Sequence, residues 1–425
     1  MNGYTLISSI GTGMHKKEGG YRKTVYQFPD KAKKCETPLF LKAILETEYR
    51  PIKKVILVGT TSSSWDILIP DSKENSDFWF RIKDECEKNV FCDESKKELK
   101  SKLPGWYNGI KFEIVVHTNE VNQENVETVF SSYLKIPDLL EPKTGILFDI
   151  THGFRSMPLL IFQSLQLNAS EIYGRKVELV YGEYIEEEKI SYVRDLSKYW
   201  EYYEVSSAMK MFDDNLDGKL LAEKIKPYWE SGAKCLFRLS EIVECNFSLQ
   251  ICEALKQIKN ALADYSEAEK PQWVTDVRNR LTDIHKKINP KNGEKYPVAK
   301  TAWEYSKLLR EKNLTTQAVI ALQVVQETAM TEKLDKDQIG NYDWFNGDLG
   351  LSQGLTEKPR QQLSKIRKKM KMGKTLEDIE YLRNQIAHGG GKDKQGEYPH
   401  QANIPGILKP IDSAIEELFI ALDEE

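Results

Sequence analysis

Three short apolar runs each end abruptly in a turn of glycine and hydroxyl residues, and that pairing constrains the fold more than any other feature of the chain. Tyr4 to Ile10 alternates and branches like a strand, then breaks at Gly11, Thr12 and Gly13. Lys53 to Val58, KKVILV, reads as a buried strand and runs into Gly59, Thr60, Thr61, Ser62, Ser63 and Ser64. Gly145 to Ile150, GILFDI, stops at Thr151, His152, Gly153, Phe154 and Arg155, after which Ser156 and Pro158 signal the start of a helix. Helical spacing over Pro38 to Tyr49, a charged and mostly helical stretch to Gly109, a strand over Lys111 to His117 and a helix over Gln123 to Tyr133 fill the intervals. Strand and helix alternate, which predicts a parallel, doubly wound sheet with helices on both faces. Tyr21 to Phe28 is expected to fold back on the first strand as a hairpin. Val177 to Tyr184 and Lys189 to Val193 are expected to close the sheet as a second hairpin, through Glu186 to Glu188.

In open α/β sheets ligands lie beyond the carboxyl ends of the strands, so parallel strands would gather the three turns at one edge. Backbone donors, hydroxyls, His152 and Arg155 at a helix N-terminus suit an anion. The same residues also fit a plain strand-to-helix turn, with Thr151 as a cap and His152 satisfied by backbone. Neither glycine turn is a standard nucleotide fingerprint. Lys16 stands where a third glycine is needed, and the Gly59 turn lacks the Lys-Ser/Thr ending of a P-loop.

Beyond Leu196 the strand signals stop, and helical segments follow over Tyr199 to Phe212, Gly218 to Tyr228, Ile251 to Ala263 and Gln272 to Asn289. The expected division is therefore an α/β domain over residues 1–196 and an all-α domain over 197–425. Ala302 to Leu309 and Thr315 to Lys333 read as a helical hairpin. Leu351 to Lys374 is strongly basic, and Lys365, Arg367, Lys368 and Lys369 are its candidate contacts to RNA phosphates, although charge runs are also common on solvated helix faces.

Thr375 to Gly391, TLEDIEYLRNQIAHGGG, reads as a helix that opens with a capping box from Thr375 to Asp378 and ends in glycine. At about 100° per residue, Leu376, Ile379, Leu382 and Ile386 share one face while Glu377, Tyr381, Asn384 and His388 share another. His388 in the last turn has a side chain suited to proton transfer, and Arg383 carries a cation suited to phosphate. A solvated polar face with His388 as a C-terminal cap fits the same spacing. Arg383 lies about 140° around the helix from His388, so a second copy could complete a site that one helix does not.

With 425 residues, 40% apolar and 30% charged, the chain has material for two cores. Its net charge of −4 argues against a protein that coats nucleic acid, which leaves RNA contact to a local basic patch. Six cysteines without a CxxC pair or Cys/His zinc spacing indicate neither a disulfide framework nor a metal site. The apolar runs are too short to span a bilayer, and MNGYTLISSIGTG has no basic region or cleavage site, so the expected compartment is the cytoplasm.

The string Asp149-Ile-Thr-His-Gly-Phe-Arg155 after an apolar strand, with the Gly11 and Gly59 turns upstream, resembles the CARF sensor domain of CRISPR-associated proteins. Arg383, polar Asn384, three residues and His388 resemble the R-x4-6-H motif of HEPN ribonucleases. In that order the two resemble a type III CRISPR accessory ribonuclease with a Rossmann-like CARF domain and a helical HEPN domain bearing a helical insertion. The resemblance implies a cyclic oligoadenylate as allosteric activator, cyclic tetra-adenylate favoured and cyclic hexa-adenylate next. It implies no cofactor, single-stranded RNA rather than DNA as substrate, a homodimer or higher even oligomer, and a role in antiviral defence. Gly11 to Gly13, Gly59 to Ser62 and Thr151 to Arg155 would then contact the activator. Arg383, Asn384 and His388 would perform metal-independent cleavage leaving a 2′,3′-cyclic phosphate. Two alternatives are a CARF domain that degrades its own ligand and a HEPN module that binds RNA without cutting it.

Overall fold

The computed structural model describes residues 3–13, 21–30, 33–120, 122–290, 293–334, 357–387 and 404–424. The chain divides into two compact units, Met1–Tyr203 and Glu204–Glu425.

The first unit runs β1 (Tyr4–Ser9), β2 (Thr24–Gln27), β3 (Lys34–Thr37), α1 (Phe40–Glu46), β4 (Ile52–Thr60), α2 (Ser76–Glu87), α3 (Asp93–Trp106), β5 (Lys111–His117), α4 (Val126–Tyr133), β6 (Gly145–Asp149), α5 (Ser156–Leu167), α6 (Ala169–Ile172), β7 (Val177–Ile185) and β8 (Ile190–Asp195). These strands form one sheet in the order β3-β2-β8-β7-β6-β1-β4-β5. Strand β1 is central and parallel to both neighbours, with Leu6 level with Val55 on β4 and Leu147 on β6. All six of its residues are buried, as a strand covered on both faces requires. Side chains alternate between two cores. Leu6, Val55, Leu57, Phe112 and Leu147 pack with Leu41, Ile82 and Leu99 of α1 to α3, while Ile7, Ile56, Val58, Ile146 and Phe148 pack with Val129, Ile161 and Leu165 of α4 and α5.

The expected hairpin between Tyr21 to Phe28 and the first strand does not form. Both edges of β1 are taken by β4 and β6, so β2 pairs antiparallel with β3 and parallel with β8 instead. The β7-β8 hairpin is present, from Val180 opposite Asp195 to Ile185 opposite Ile190, but it does not end the sheet, because β2 and β3 extend it.

The described part of the second unit is helical: α7 (Lys198–Asn215, within which the division falls), α8 (Lys219–Ile225), α9 (Glu230–Glu244), α10 (Ile251–Ala263), α11 (Gln272–Ile288), α12 (Pro297–Glu311), α13 (Thr315–Leu334), α14 (Glu357–Lys369), α15 (Gly373–Ala387), α16 (Ile404–Leu408) and α17 (Ile411–Glu424). One core gathers Phe212, Leu236, Leu255, Leu281 and Leu309. A second gathers Trp303, Leu322, Val325, Ile366, Leu376, Ile379 and Leu418 and so holds α15 against α12, α13, α14 and α17. Helix α15 starts at Gly373, two residues ahead of the expected cap at Thr375. The preceding turn is satisfied from elsewhere: the Glu417 carboxylate of α17 accepts from the amides of Lys371 at 2.7 Å and Met372 at 3.0 Å. Thr375 lies inside the first turn, its amide donating to the Met372 carbonyl.

Candidate functional site

In the first unit, a cavity of about 460 Å³ opens where β1 and β6 end. Gly11, Thr12 and Gly13 line one side and Thr151, His152 and Gly153 another. The two turns nearly touch. A Cβ on Gly11 would sit 3.0 Å from the Gly153 nitrogen, and Gly153 itself has φ +99°, a conformation that favours glycine. The remaining wall includes residues that sequence reasoning missed, among them Arg22, Thr24, Tyr26, Tyr181, Gly182, Tyr184 and Ser191. One signal for them exists in hindsight. Strand β7 pairs with β6 only as far as Val180 opposite Asp149, yet continues to Ile185, so Tyr181 to Ile185 overhang the parallel sheet.

Hydrogen bonds fix this floor before any ligand arrives. The fully buried Asp149 accepts from the Ser8 hydroxyl at 2.6 Å and the Thr151 amide at 2.8 Å, and the Thr151 hydroxyl accepts from the Gly182 amide at 2.9 Å. Burial raises the Asp149 carboxyl above the ordinary carboxylate range, against opposing effects of His152, Ser8 and Thr151. His152 Nε2 lies 3.1 Å from both the Phe40 amide, which donates to it, and the Tyr26 hydroxyl. Burial lowers the His152 pKa, with Asp149 acting in the opposite sense. A neutral ring with its Nε2 lone pair occupied shapes the pocket and offers little as a base. Burial likewise pushes the Tyr26 phenol up.

Gly59, Thr60, Thr61 and Ser62 are not among the residues lining this cavity. Their turn is spent on packing. Trp65 Nε1 donates to the Thr60 carbonyl at 2.8 Å, the Ser63 hydroxyl donates to the Ile10 carbonyl at 2.7 Å, and the Thr61 hydroxyl donates to Asn89. The turn thus braces the Gly11 turn from behind, and the Ser64 amide donates to the Gly11 carbonyl at 2.9 Å. Phe154 and Arg155 also fall outside the lining; both are exposed at the start of α5.

A second histidine, His117 at the end of β5, is buried. Its Nδ1 pairs with the Thr118 carbonyl at 2.7 Å and its Nε2 with the Tyr133 hydroxyl at 2.6 Å. Burial lowers its pKa from the ordinary 6.5, against the Thr118 hydrogen bond. The unfolded chain therefore takes up this proton at a higher pH than the folded one. Its contribution is present above the unfolded value of 6.5 and is lost as pH falls through the folded pKa. Thermal melts from about pH 7 to about pH 5 should show a shallower decline for His117→Gln than for the parent protein, and identical slopes would refute the assignment.

In the second unit, α15 buries Leu376, Ile379 and Leu382 and leaves Arg383 and Asn384 half-buried, with Tyr381 39% exposed. The Arg383 guanidinium donates to Asn384 Oδ1 at 2.9 Å. His388 lies outside the described residues. On α14, Lys365, Lys368 and Lys369 are exposed, whereas Arg367 is only 6% exposed. Arg367 donates to Gln326 on α13 at 2.5 Å and pairs with Glu380 on α15, so it is not free to meet an RNA phosphate. Among the described residues, no group of three or more His, Cys, Asp or Glu could hold a metal ion. None of the described helices is long and apolar enough to cross a membrane.

Residues 5–187 match the family described as CRISPR system endoribonuclease Csx1, CARF domain. The chain is 23% identical over 332 residues to the CRISPR-associated protein MJ1674 of Methanocaldococcus jannaschii, covering 71% of this chain and 50% of that protein. The chain thus spans about half the length of this curated relative. A solved structure, Enterococcus italicus Csm6 bound to cyclic hexa-2′-fluoro-hexa-dAMP, aligns over 99% of this chain and 94% of that one. Identity there is 13% and the TM-score 0.36.

Proposed function

We propose that the chain is a type III CRISPR accessory endoribonuclease switched on by a cyclic oligoadenylate, a reading supported by the match of residues 5–187 to the CARF domain of the CRISPR system endoribonuclease Csx1 family. The observation that carries this reading is the cavity in the family-matched unit, where two strand-end turns meet under a wall of Tyr26, Tyr181, Tyr184 and Arg22. Its volume of about 460 Å³ suits part of a nucleotide ring, its glycine turns let backbone approach phosphate, and its tyrosines offer faces for bases. In a two-fold dimer a four-fold ring presents equivalent halves to two such pockets, which favours cyclic tetra-adenylate.

Cleavage is assigned to α15. Arg383 steadies the charge that develops on phosphate, His388 moves the proton, and Asn384, already paired with Arg383, orients one of the two. The attacking group is the substrate's 2′-hydroxyl, which gives up its proton and closes a 2′,3′-cyclic phosphate as the bond from phosphorus to the 5′-oxygen breaks and that oxygen takes up a proton; this restricts the reaction to RNA and requires no metal. By the helical spacing of the sequence, Arg383 and His388 would lie about 140° apart on one helix, so a second copy completes the site in this reading. Binding in the first unit then biases how the two copies of α15 meet.

The test is cleavage of a single-stranded RNA reporter in chelator, with cyclic tri-, tetra- and hexa-adenylate supplied in turn. Stimulation by the tetra-adenylate that persists without divalent ions is the expected result. A strict divalent requirement, or indifference to all three rings, would overturn it. Mixing parent protein with excess His388→Ala under subunit exchange should suppress activity beyond dilution. Half the parent rate per mixed dimer would instead give each protomer its own complete site.

A further inference from the structure

We propose that Arg367 is the positioning residue of the ribonuclease half: it sets the placement of α15, and with it Arg383 and Asn384, rather than touching RNA. This rests on the reading of α15 as the catalytic helix. The Arg367 side chain, 5% exposed, bridges three helices, with one guanidinium nitrogen on Gln326 of α13 and the other on Glu380 of α15. Gln326 is itself fully buried and its amide donates to the Leu376 carbonyl of α15 at 3.3 Å. Helix α15 is therefore gripped at two of its turns through one guanidinium.

The backbone of the same residue supplies a second, independent constraint. Gly373 begins α15 directly against it, and a Cβ there would lie 1.8 Å from the Arg367 carbonyl oxygen and 2.7 Å from its carbon. Only glycine lets the start of α15 come this close to α14. Glu417 completes the clamp by holding the amides of Lys371 and Met372 in the intervening turn. An ion pair between a buried guanidinium and a carboxylate 36% exposed adds little net stability, so what this one contributes is geometry. Lysine cannot replace the fork, because a single ammonium on a flexible stem does not span Gln326 and Glu380 in fixed directions.

Catalytic groups tolerate little displacement, and an error of about 1 Å imposed from a distance can cost roughly 100-fold. In the full-length protein with RNA reporter and activator, Arg367→Met is expected to lower kcat roughly 10- to 100-fold with KM nearly unchanged. Arg367→Lys should recover only part of the loss, and Gly373→Ala should reproduce it. Hydrogen exchange at the α15 amides should quicken in Arg367→Met while that of α9 stays as in the parent. A raised KM with kcat intact would make Arg367 an RNA contact and overturn the proposal, as would unchanged kcat in both Arg367→Met and Gly373→Ala. If the parent protein cuts no RNA, the ribonuclease reading fails on its own, and the exchange measurement still decides the positioning role: unaltered α15 protection refutes it. Should Arg367→Met not fold, Arg367→Lys carries the same comparison.

Discussion

Alanine in place of Arg383 is expected to lower RNA cleavage by about 100- to 1,000-fold while the second unit keeps its fold, a loss of the size seen when one charge-stabilising donor leaves an active site. The fold should survive because α15 is anchored by its neighbours. Leu376, Ile379 and Leu382 are at most 3% exposed in the core, whereas Arg383 is half-buried and hydrogen-bonds to the adjacent Asn384. Removing it empties no packed site, so stability should change by no more than about 0.5 kcal/mol. Arg383→Lys restores the charge without the planar fork and should recover only a minor part of the rate if two phosphate oxygens are held at once. The readout is single-turnover cleavage at saturating activator beside a thermal melt. Retention of more than about a tenth of the parent rate by Arg383→Ala would remove the residue from the chemistry.

Valine in place of Gly11 is expected to weaken activator binding by about 100-fold, equivalent to about 2.7 kcal/mol. The first added carbon would lie 3.0 Å from the Gly153 nitrogen and 3.4 Å from its Cα. Those neighbours are backbone and cannot swing aside as a long side chain can. Nor can the Gly11 turn retreat, because the Ser64 amide holds its carbonyl at 2.9 Å and the Ser63 hydroxyl holds that of Ile10. The strain must therefore part the two turns, at a cost to the fold of about 1–3 kcal/mol typical of overpacking. Calorimetric titration with cyclic tetra-adenylate measures the effect, and near-ultraviolet dichroism checks the first unit. Affinity within about threefold of the parent would show that the activator binds away from these turns.

Local chemistry made much of this molecule legible in advance. The strand over Lys111 to His117 and the helical face of Leu376, Ile379 and Leu382 follow from periodicity, because alternation or 3.6-residue spacing records which side of an element its own residues must bury. The turns at Gly11 and Thr151 could be placed at strand ends for the same reason, and parallel strands put them at one edge. Which partner fills each edge is a long-range matter. Only the tertiary structure decided that β4 and β6 occupy both sides of β1, sending β2 to β8 and bringing Arg22, Tyr26, Tyr181 and Tyr184 around the cavity. It alone decided that the Ser63 and Thr61 hydroxyls are consumed by Ile10 and Asn89 and the Thr60 carbonyl by Trp65, although their sequence is as polar as that of a ligand loop. Arg367 shows the physical limit most directly. Within a run of lysines and arginines its charge predicts an exposed phosphate contact, but Gln326 and Glu380 approach it from α13 and α15, and a guanidinium whose two terminal nitrogens are paired with distant partners can be buried where its neighbours in sequence are not.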